Sequence, residues 1–300
     1  MTPAPILLFT YNRLKHTTNT IEALTKNKLA HNSELIIFSD AAKTDTDEEK
    51  VNNVRQYLKT VSGFKQVSVI ERDRNFGLGN NIIAGVSHVM NTAGKAIVLE
   101  DDLIVSPYFL EFMNDGLEMY EKNTDVISIH GYTYPVKTDL PETFFIKGAD
   151  CLGWATWARG WKLFEKDGTV LLNELINRNK TKEFDFNGAF PFTQMLRDQI
   201  IGKNNSWAVR WYASAFLKNM LTLYPAKSLV YHAGGDGSGT NTGFNSMLDV
   251  ELSMKKIQVL PQPVVQNEQA YSEFEKFHRY TSSPGIIYRI KRKLQTIIKR

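Results

Sequence analysis

Short apolar runs alternate with longer stretches of helical periodicity through the first hundred residues of the chain. The apolar runs have the length of strands, and the stretches between them have the length of helices. The predicted strands are 5–10, 35–39, 67–71 and 96–99, and the predicted helices are 13–27, 46–61, 79–93 and 106–120. This β-α-β-α order predicts an α/β fold with a mostly parallel, doubly wound sheet.

The regular alternation ends near residue 103, which divides the chain into regions 1–103, 104–245 and 246–300. The second region is richer in aromatic residues and less regular, so we expect an irregular subdomain there. The third is a polar tail that ends in a pattern of isoleucines on one helical face and lysines and arginines on the others. This pattern predicts a basic amphipathic helix, which either lies on an anionic membrane surface or packs on the domain.

Composition limits the class of protein. A chain of 300 residues with 42% hydrophobic content can bury a substantial core, as one large domain or two modest ones. A net charge of +4 is modest, and we expect no nucleic-acid partner. The single cysteine, Cys151, excludes an intramolecular disulfide and suits a reducing compartment. No apolar run is long enough for a membrane span, and the N-terminus lacks a signal-peptide pattern. We therefore expect a cytoplasmic protein, and any contact with a membrane should be peripheral, at its inner face.

Three adjacent carboxylates, Glu100, Asp101 and Asp102, stand at the carboxyl end of the fourth predicted strand. Their charges repel one another, and ligands of open α/β sheets gather at such strand ends. A helix is predicted to follow, with Ser106 as its N-cap and Pro107 in its first turn. Carboxylates together with substrate phosphates commonly hold Mg²⁺ or Mn²⁺. This context favours a metal and diphosphate site over a solvated acidic turn, which is the alternative.

Further polar residues follow the other predicted strands. They are Thr10, Asn12 and Arg13 after the first strand, Asp40 after the second, and Arg74 and Asn75 after the third. An arginine can hold a phosphate, and an aspartate can accept a hydrogen bond from a base or a ribose hydroxyl. Each residue alone is also explained as a helix cap or a surface charge, but their recurrence at successive strand ends favours a nucleotide ligand.

The segment from Val98 to Phe109, Val-Leu-Glu-Asp-Asp-Leu-Ile-Val-Ser-Pro-Tyr-Phe, resembles that of inverting GT-A glycosyltransferases, most closely the N-acetylglucosaminyltransferase I family and its bacterial relatives. The pairs Asn12-Arg13 and Ser39-Asp40 extend the resemblance. It implies a GT-A fold, a UDP-sugar donor and bound Mn²⁺ or Mg²⁺. It places Arg13 and Asp40 at the uracil, Glu100 and Asp101 on the ribose and diphosphate side, and Asp102 on the metal.

The second region extends this resemblance through Leu152-Gly153-Trp154, which is similar to an acceptor-side motif of the family. We expect Gly153 and Trp154 near the substrate and Trp157 and Trp161 in the core. The alternative is that the three tryptophans form a buried stripe on one helix.

The glycine-rich stretch 232–241 follows further along the chain. We expect a mobile lid there, with a surface loop as the alternative. Within it, His232 supplies either a metal or phosphate contact or a structural hydrogen bond.

An inverting transfer needs a carboxylate that takes the proton of the acceptor hydroxyl. The resemblance aligns Asn205 with the position of this base, and an amide cannot accept that proton. Asp198, Asp150 and Asp236 are the acids that could replace it.

The predicted function is therefore metal-dependent transfer of a sugar from a UDP-sugar to a glycan or lipid-linked acceptor, in the synthesis of a bacterial surface polysaccharide. A nucleotidyltransferase is one alternative, although it should carry a glycine- and arginine-rich phosphate loop after the first strand. A non-catalytic carbohydrate-binding or scaffold protein is the other, and it leaves the three acids without a purpose.

Overall fold

The computed structural model describes residues 2–237 and 247–282, and its centre is an eight-stranded sheet in the order β3-β2-β1-β4-β8-β6-β9-β7. The strands of this sheet are β1 (Ile6–Thr10), β2 (Glu34–Ser39), β3 (Gln66–Glu71), β4 (Lys95–Glu100), β6 (Val126–His130), β7 (Thr143–Lys147), β8 (Trp154–Trp157) and β9 (Leu221–Pro225). A second, two-stranded sheet pairs β5 (Leu103–Val105) with β10 (Val230–His232).

The helices cover both faces of the large sheet and form an additional lobe beside it. They are α1 (Leu14–Thr25), α2 (Asp45–Leu58), α3 (Leu78–Ala93), α4 (Phe109–Met119), α5 (Ala158–Trp161), α6 (Gly168–Asn177), α7 (Thr181–Phe184), α8 (Phe192–Ile200), α9 (Trp207–Leu217) and α10 (Glu268–Ser282). Short 3-10 turns cover Ala30–Asn32 and Ala233–Asp236. None of the helices within the described ranges is long and apolar enough to cross a membrane.

The central strands are apolar on both faces because helices cover both sides of the sheet. In β1, Ile6 and Leu8 pack with Leu24 of α1, whereas Leu7 and Phe9 face the other side. Strands β1 to β4 run parallel to one another. The predicted α/β class and mostly parallel doubly wound sheet are confirmed, and the seven predicted elements of the first hundred residues and the helix after them are all present.

Strand β8 runs antiparallel between β4 and β6, so β4, β6 and β9 all point the same way. Their carboxyl ends therefore meet at one edge, together with the start of β8. This edge also receives the small sheet, because the pairing of β10 with β5 sets His232 opposite Leu103. The topology thus brings residue 232 next to the acids that precede residue 103.

One predicted boundary is wrong, and one alternative is excluded. The helix predicted from residue 106 begins at Phe109, since the chain stays extended through β5 and the Ser106 amide donates to the Leu229 carbonyl. The alternative that the three tryptophans share one helix fails, because Trp154 and Trp157 are the ends of β8 and lie in different core clusters. The predicted basic amphipathic helix falls on residues 284–300, outside the described residues.

The helical lobe is held by an aromatic cluster in which α10 packs against the loop that follows β6. His278 of α10 is 4% exposed, and its ring lies 4.9 Å from the ring of Tyr134 and 4.8 Å from that of Phe186. Burial lowers the pKa of His278 to about 4, although the charge of Asp150 opposes this effect. The folded protein therefore keeps this histidine neutral.

We predict that this lobe weakens with acid through His278. A histidine with a depressed folded pKa binds its proton more readily in the unfolded chain, so its contribution is present above about pH 6.5 and is lost as the pH falls towards 4. His278→Phe should raise the free energy of unfolding, relative to the parent, by about 2 kcal/mol more at pH 5 than at pH 8. Urea titrations at both pH values measure this, with His88→Phe on exposed His88 as the control. Equal pH dependence of His278→Phe and the parent would contradict the account.

Candidate active site

The acid triplet turns over the carboxyl end of β4 and meets an arginine from the first βα loop. Arg13, which caps α1, pairs through Nη2 with Asp101 and with Asp102, the second contact at 2.9 Å. Both aspartates are buried, at 4% and 6% exposure. The hydroxyl of Thr20 on α1 donates to the Asp101 carbonyl at 2.8 Å and fixes the turn. Parallel pairing of β1 with β4 is what brings Arg13 and the acids to one edge.

The three carboxylates have very different proton affinities. Burial, added to repulsion from Asp102 and Asp101, raises the pKa of Glu100 to about 8. Burial also raises the pKa of Asp101 to about 6, against the charge of Arg13. For Asp102 burial is outweighed by the hydrogen bond with His232 and by Arg13, which lower its pKa to about 2. Arg13 thus brings one positive charge to three acids, and the site retains affinity for further positive charge.

The side chains of Asp102 and His232 lie beside each other, and the backbone of Gly234 packs against both. His232 Nε2 lies 3.6 Å from Asp102 Oδ2, and both side chains are largely buried. A Cβ on Gly234 would collide with Asp102 Oδ2 and would lie 2.8 Å from His232 Nε2. Any side chain at residue 234 would therefore displace these two groups.

Asp102 and His232 are a ligand pair that fits Mn²⁺ or Mg²⁺, which are often held by one or two side chains together with substrate phosphates. Within the described residues, no cluster of three or more histidine, cysteine, aspartate or glutamate side chains surrounds one point. The fit is therefore to an ion that arrives with a diphosphate, since phosphate oxygens and water would complete its coordination.

Buried polar atoms near this edge also lack protein partners. Thr10 Oγ1, Arg13 Nη1 and Asp101 Oδ2 are enclosed and find no hydrogen-bond partner among the described residues. Such atoms are uncommon in folded proteins because each one left unpaired is costly. Three of them around one turn indicate a polar ligand site.

The expected nucleotide-binding residues lie at the neighbouring strand ends but are bound to protein. Asp40 accepts hydrogen bonds from the amides of Phe76 and Gly77, at 2.8 and 2.9 Å. Asn75 donates to the Ala41 carbonyl at 2.7 Å, and Asn12 donates to Asp47 at 2.9 Å. The contacts of Asp40 and Asn75 fix the loop between β3 and α3, and the Asn12 contact joins the loop after β1 to α2.

The arginines differ from expectation. Arg13, assigned to the uracil by resemblance, is paired with the acids instead. Arg74 is exposed, with its guanidinium 5.7 Å from the ring centre of Phe76. Arg72, which the sequence did not indicate as a site residue, has its guanidinium over the rings of Phe38 and Phe76, at 5.1 and 4.6 Å. It directly follows β3, and this position at a strand end is the signal that points to it as a site residue.

Gly153 lies at this edge as expected, but Trp154 does not expose a ring face. Gly153 has a φ of +67° and accepts a hydrogen bond from the Gly131 amide at 2.7 Å. Trp154 is 1% exposed and packs against three other indoles. The expectation that Trp154 lies next to the substrate is corrected: its ring is part of the core beneath the site. Trp157 and Trp161 are also buried in the core, as predicted.

One of those indoles, that of Trp207 at the start of α9, lies beside Glu100, where its N–H opposes the rise in pKa that burial causes in that carboxyl. Sequence reasoning did not assign Trp207 to the site, since this contact depends on how α9 packs over the sheet.

The four candidates for the base are far from equivalent. Asn205 is exposed and lies against the first turn of α3, where a Cβ on Gly79 would be 2.8 Å from the Asn205 carbonyl. Asp198 is on α8 and accepts from Gln194 at 3.0 Å. Asp236 lies 3.2 Å from His16 Nε2 on α1. Asp150 precedes β8 at the carboxyl edge and accepts from the Tyr134 hydroxyl at 3.2 Å.

Comparison with known proteins identifies a family for this arrangement. The family described as glycosyl transferase family 2 matches residues 6–174, more than half of the chain. Among solved structures, the chain is similar to TarS of S. aureus, with 12% identity over 78% of this chain and 37% of that one and a TM-score of 0.41. It is also similar to the mannosyltransferase PcManGT of Pyrobaculum calidifontis in complex with GDP-Man and Mn²⁺, with 14% identity over 45% of this chain and 37% of that one and a TM-score of 0.35. The chain thus spans 37% of the length of each.

We predict that Arg13 is required for stability. Arg13→Gln leaves buried carboxylates without their guanidinium, so the free energy of unfolding at pH 8 should fall by roughly 3–5 kcal/mol. Urea denaturation measures this, in a buffer that contains a chelator. Adding Asp101→Asn to Arg13→Gln should recover part of the loss, since it removes one of the uncompensated charges. A loss of less than about 1 kcal/mol would show that the pair does not hold this edge together.

Proposed function

We propose a donor and a reaction for this chain from the premise that it belongs to glycosyl transferase family 2 and is a glycosyltransferase. The proposed donor is a UDP-sugar. The sugar passes, with inversion at C1, to a hydroxyl of a glycan or lipid-linked acceptor in bacterial surface polysaccharide synthesis. A location at the inner face of the membrane is part of the proposal and rests on the sequence pattern of residues 284–300.

One observation carries the proposal: the buried side chains of Asp102 and His232 lie 3.6 Å apart beside the Arg13 pair, with the backbone of Gly234 packed against both. Acidic and imidazole ligands at the carboxyl end of β4, next to a guanidinium, suit a divalent cation and a diphosphate together. The unpartnered Thr10 hydroxyl lies at the end of the neighbouring strand, where a donor would enter.

The chain's own residues would act on the donor as follows. Asp102 and His232 would hold the divalent cation, which when bound supplies positive charge against the departing diphosphate. Arg13 keeps Asp101 and Asp102 in place, and its own positive charge would also face the departing diphosphate. Glu100, beside Trp207, and the loop closed by Asp40 would orient the sugar and the nucleoside. Such positioning matters because the transfer needs donor and acceptor aligned at C1.

We predict that UDP and UDP-sugars stabilise the protein only when Mn²⁺ is present. A ligand bound at a hundred times its Kd contributes about 2.7 kcal/mol, which raises Tm by several degrees. Thermal unfolding with UDP, GDP and CDP, each with Mn²⁺ or chelator, measures this. Asp102→Asn should abolish the Mn²⁺-dependent shift, while Asp125→Asn, at an exposed carboxylate before β6, should keep it.

The outcomes separate the parts of the proposal. Protection by GDP or CDP equal to that by UDP would contradict the uridine donor. Protection by UDP that is the same in chelator would contradict the metal, and so would an unchanged shift in Asp102→Asn. If no nucleotide protects the protein under either condition, the proposed donor site is wrong.

A further inference from the structure

The carboxylate of Asp150 stands apart from the acids that Arg13 neutralises. Asp150 follows β7 in the chain, and its side chain is 21% exposed. Its Oδ1 accepts the Cys151 amide at 2.8 Å, and its Oδ2 accepts the Tyr134 hydroxyl at 3.2 Å. The loop from 150 to 153 leads directly into β8, so this carboxylate is held at the edge where the donor site lies.

The imidazole nearest to Asp150 does not neutralise it. His130 Nε2 lies 3.9 Å from Asp150 Oδ1 and accepts the Leu152 amide at 3.0 Å, which requires an unprotonated nitrogen. Burial lowers the pKa of His130, so its ring stays neutral. Among residues 2–237 and 247–282, the groups that donate to Asp150 are thus an amide and neutral side chains, Tyr134 among them, and no lysine or arginine pairs with its carboxylate.

The pairing of β8 with β4 places Asp150 near the acid triplet. Trp154 is opposite Val98 in this pairing, so the loop from 150 to 153 meets the carboxyl end of β4. A Cβ on Gly153 would lie 3.5 Å from Leu99 Cδ2. Burial, together with the charges of Asp150, Glu100 and Asp102, raises the pKa of the Cys151 thiol, which agrees with this placement. Asp150 is therefore a neighbour of the donor site, although it takes no part in the Arg13 pair.

The Tyr134 phenol that donates to Asp150 is fixed by its own packing. Tyr134 meets Tyr132 edge to face at 5.5 Å, and α10 covers it through Phe277, whose ring is stacked at 4.9 Å. Asp150 is therefore held in one position while part of its side chain stays exposed. The other acids differ: Asp198 accepts from Gln194 on α8 and faces Lys203 at 3.8 Å, and Asp236 faces His16 on α1.

We infer that Asp150 is the catalytic residue that binds the acceptor hydroxyl and takes its proton. This inference rests on the proposed function. As the acceptor oxygen bonds to C1 of the donor, the bond from C1 to the diphosphate oxygen breaks and its electron pair leaves with the diphosphate. The acceptor proton passes to the Asp150 carboxylate, so charge and atoms balance without a further reactant.

Water serves as the test acceptor, because release of UDP from a UDP-sugar by water needs the same proton transfer. The full chain is incubated with Mn²⁺ and UDP-N-acetylglucosamine, UDP-glucose or UDP-galactose, and UDP release is measured. Asp150→Asn should slow release by about 10²-fold or more. The Mn²⁺-dependent thermal shift with the same UDP-sugar should stay within error of the parent. Asp125→Asn is the matched control, since it makes the same change at the opposite end of β6 and should release UDP at the parental rate.

A second variant tests chemistry apart from structure. Asp150→Ala should be equally slow, and added formate should restore part of its UDP release, which a merely structural carboxylate would not allow. Asp150→Asn with parental UDP release overturns the inference, and so does Asp150→Ala that formate does not rescue. If the parent itself is neither protected by a UDP-sugar nor able to release UDP, the proposed function fails, and the role of Asp150 fails with it.

Discussion

A guanidinium between two buried carboxylates organises this molecule. Arg13 comes from the loop after β1 and the aspartates from the turn after β4, so their pairing ties two neighbouring strands together at their carboxyl ends. Removing buried charges from water is expensive, and one guanidinium does not balance three acids. The raised pKa values of Glu100 and Asp101 express that imbalance. A structure that keeps this cost in its centre is organised to receive a cation, which the divalent ion of a metal-bound nucleotide-sugar would provide.

The rest of the site is assembled from parts of the chain that are distant in sequence. Antiparallel pairing of β10 with β5 carries His232 to the acids, and Gly234 fits against Asp102 because it has no side chain. The insertion of β8 between β4 and β6 places Asp150 at the same edge. The proposed donor side thus depends on the parallel half of the sheet, and the proposed acceptor side depends on the mixed half. The proposed metal site lies where the small sheet covers the acids.

Much of the fold could be predicted, because the pattern of the parallel half is local in the sequence. Apolar strands of five or six residues alternate there with amphipathic helices, and Glu100 to Asp102 mark a strand end. The contacts of this half with distant parts of the chain were less predictable. Ser106 looked like a helix cap but lies in an extended segment bonded to Leu229, a contact across more than a hundred residues. Trp154 looked suited to a sugar, yet its burial is decided by α9, which no local pattern positions. The backbone of Gly234 approaches Asp102 closely, and only the assembled structure reveals this contact.

The central claim is that Asp102 and His232, beside Gly234, form a metal site that is completed by a diphosphate. Electron paramagnetic resonance of Mn²⁺ tests it directly, since bound Mn²⁺ loses its sharp free-ion signal. With UDP present, the account predicts one bound Mn²⁺ for each chain and weaker binding without UDP. It also predicts loss of this binding in Gly234→Ala, whose added methyl would collide with Asp102 and displace its carboxylate. A free-ion signal that the protein and UDP together leave unchanged, or full Mn²⁺ binding by Gly234→Ala, would contradict the account.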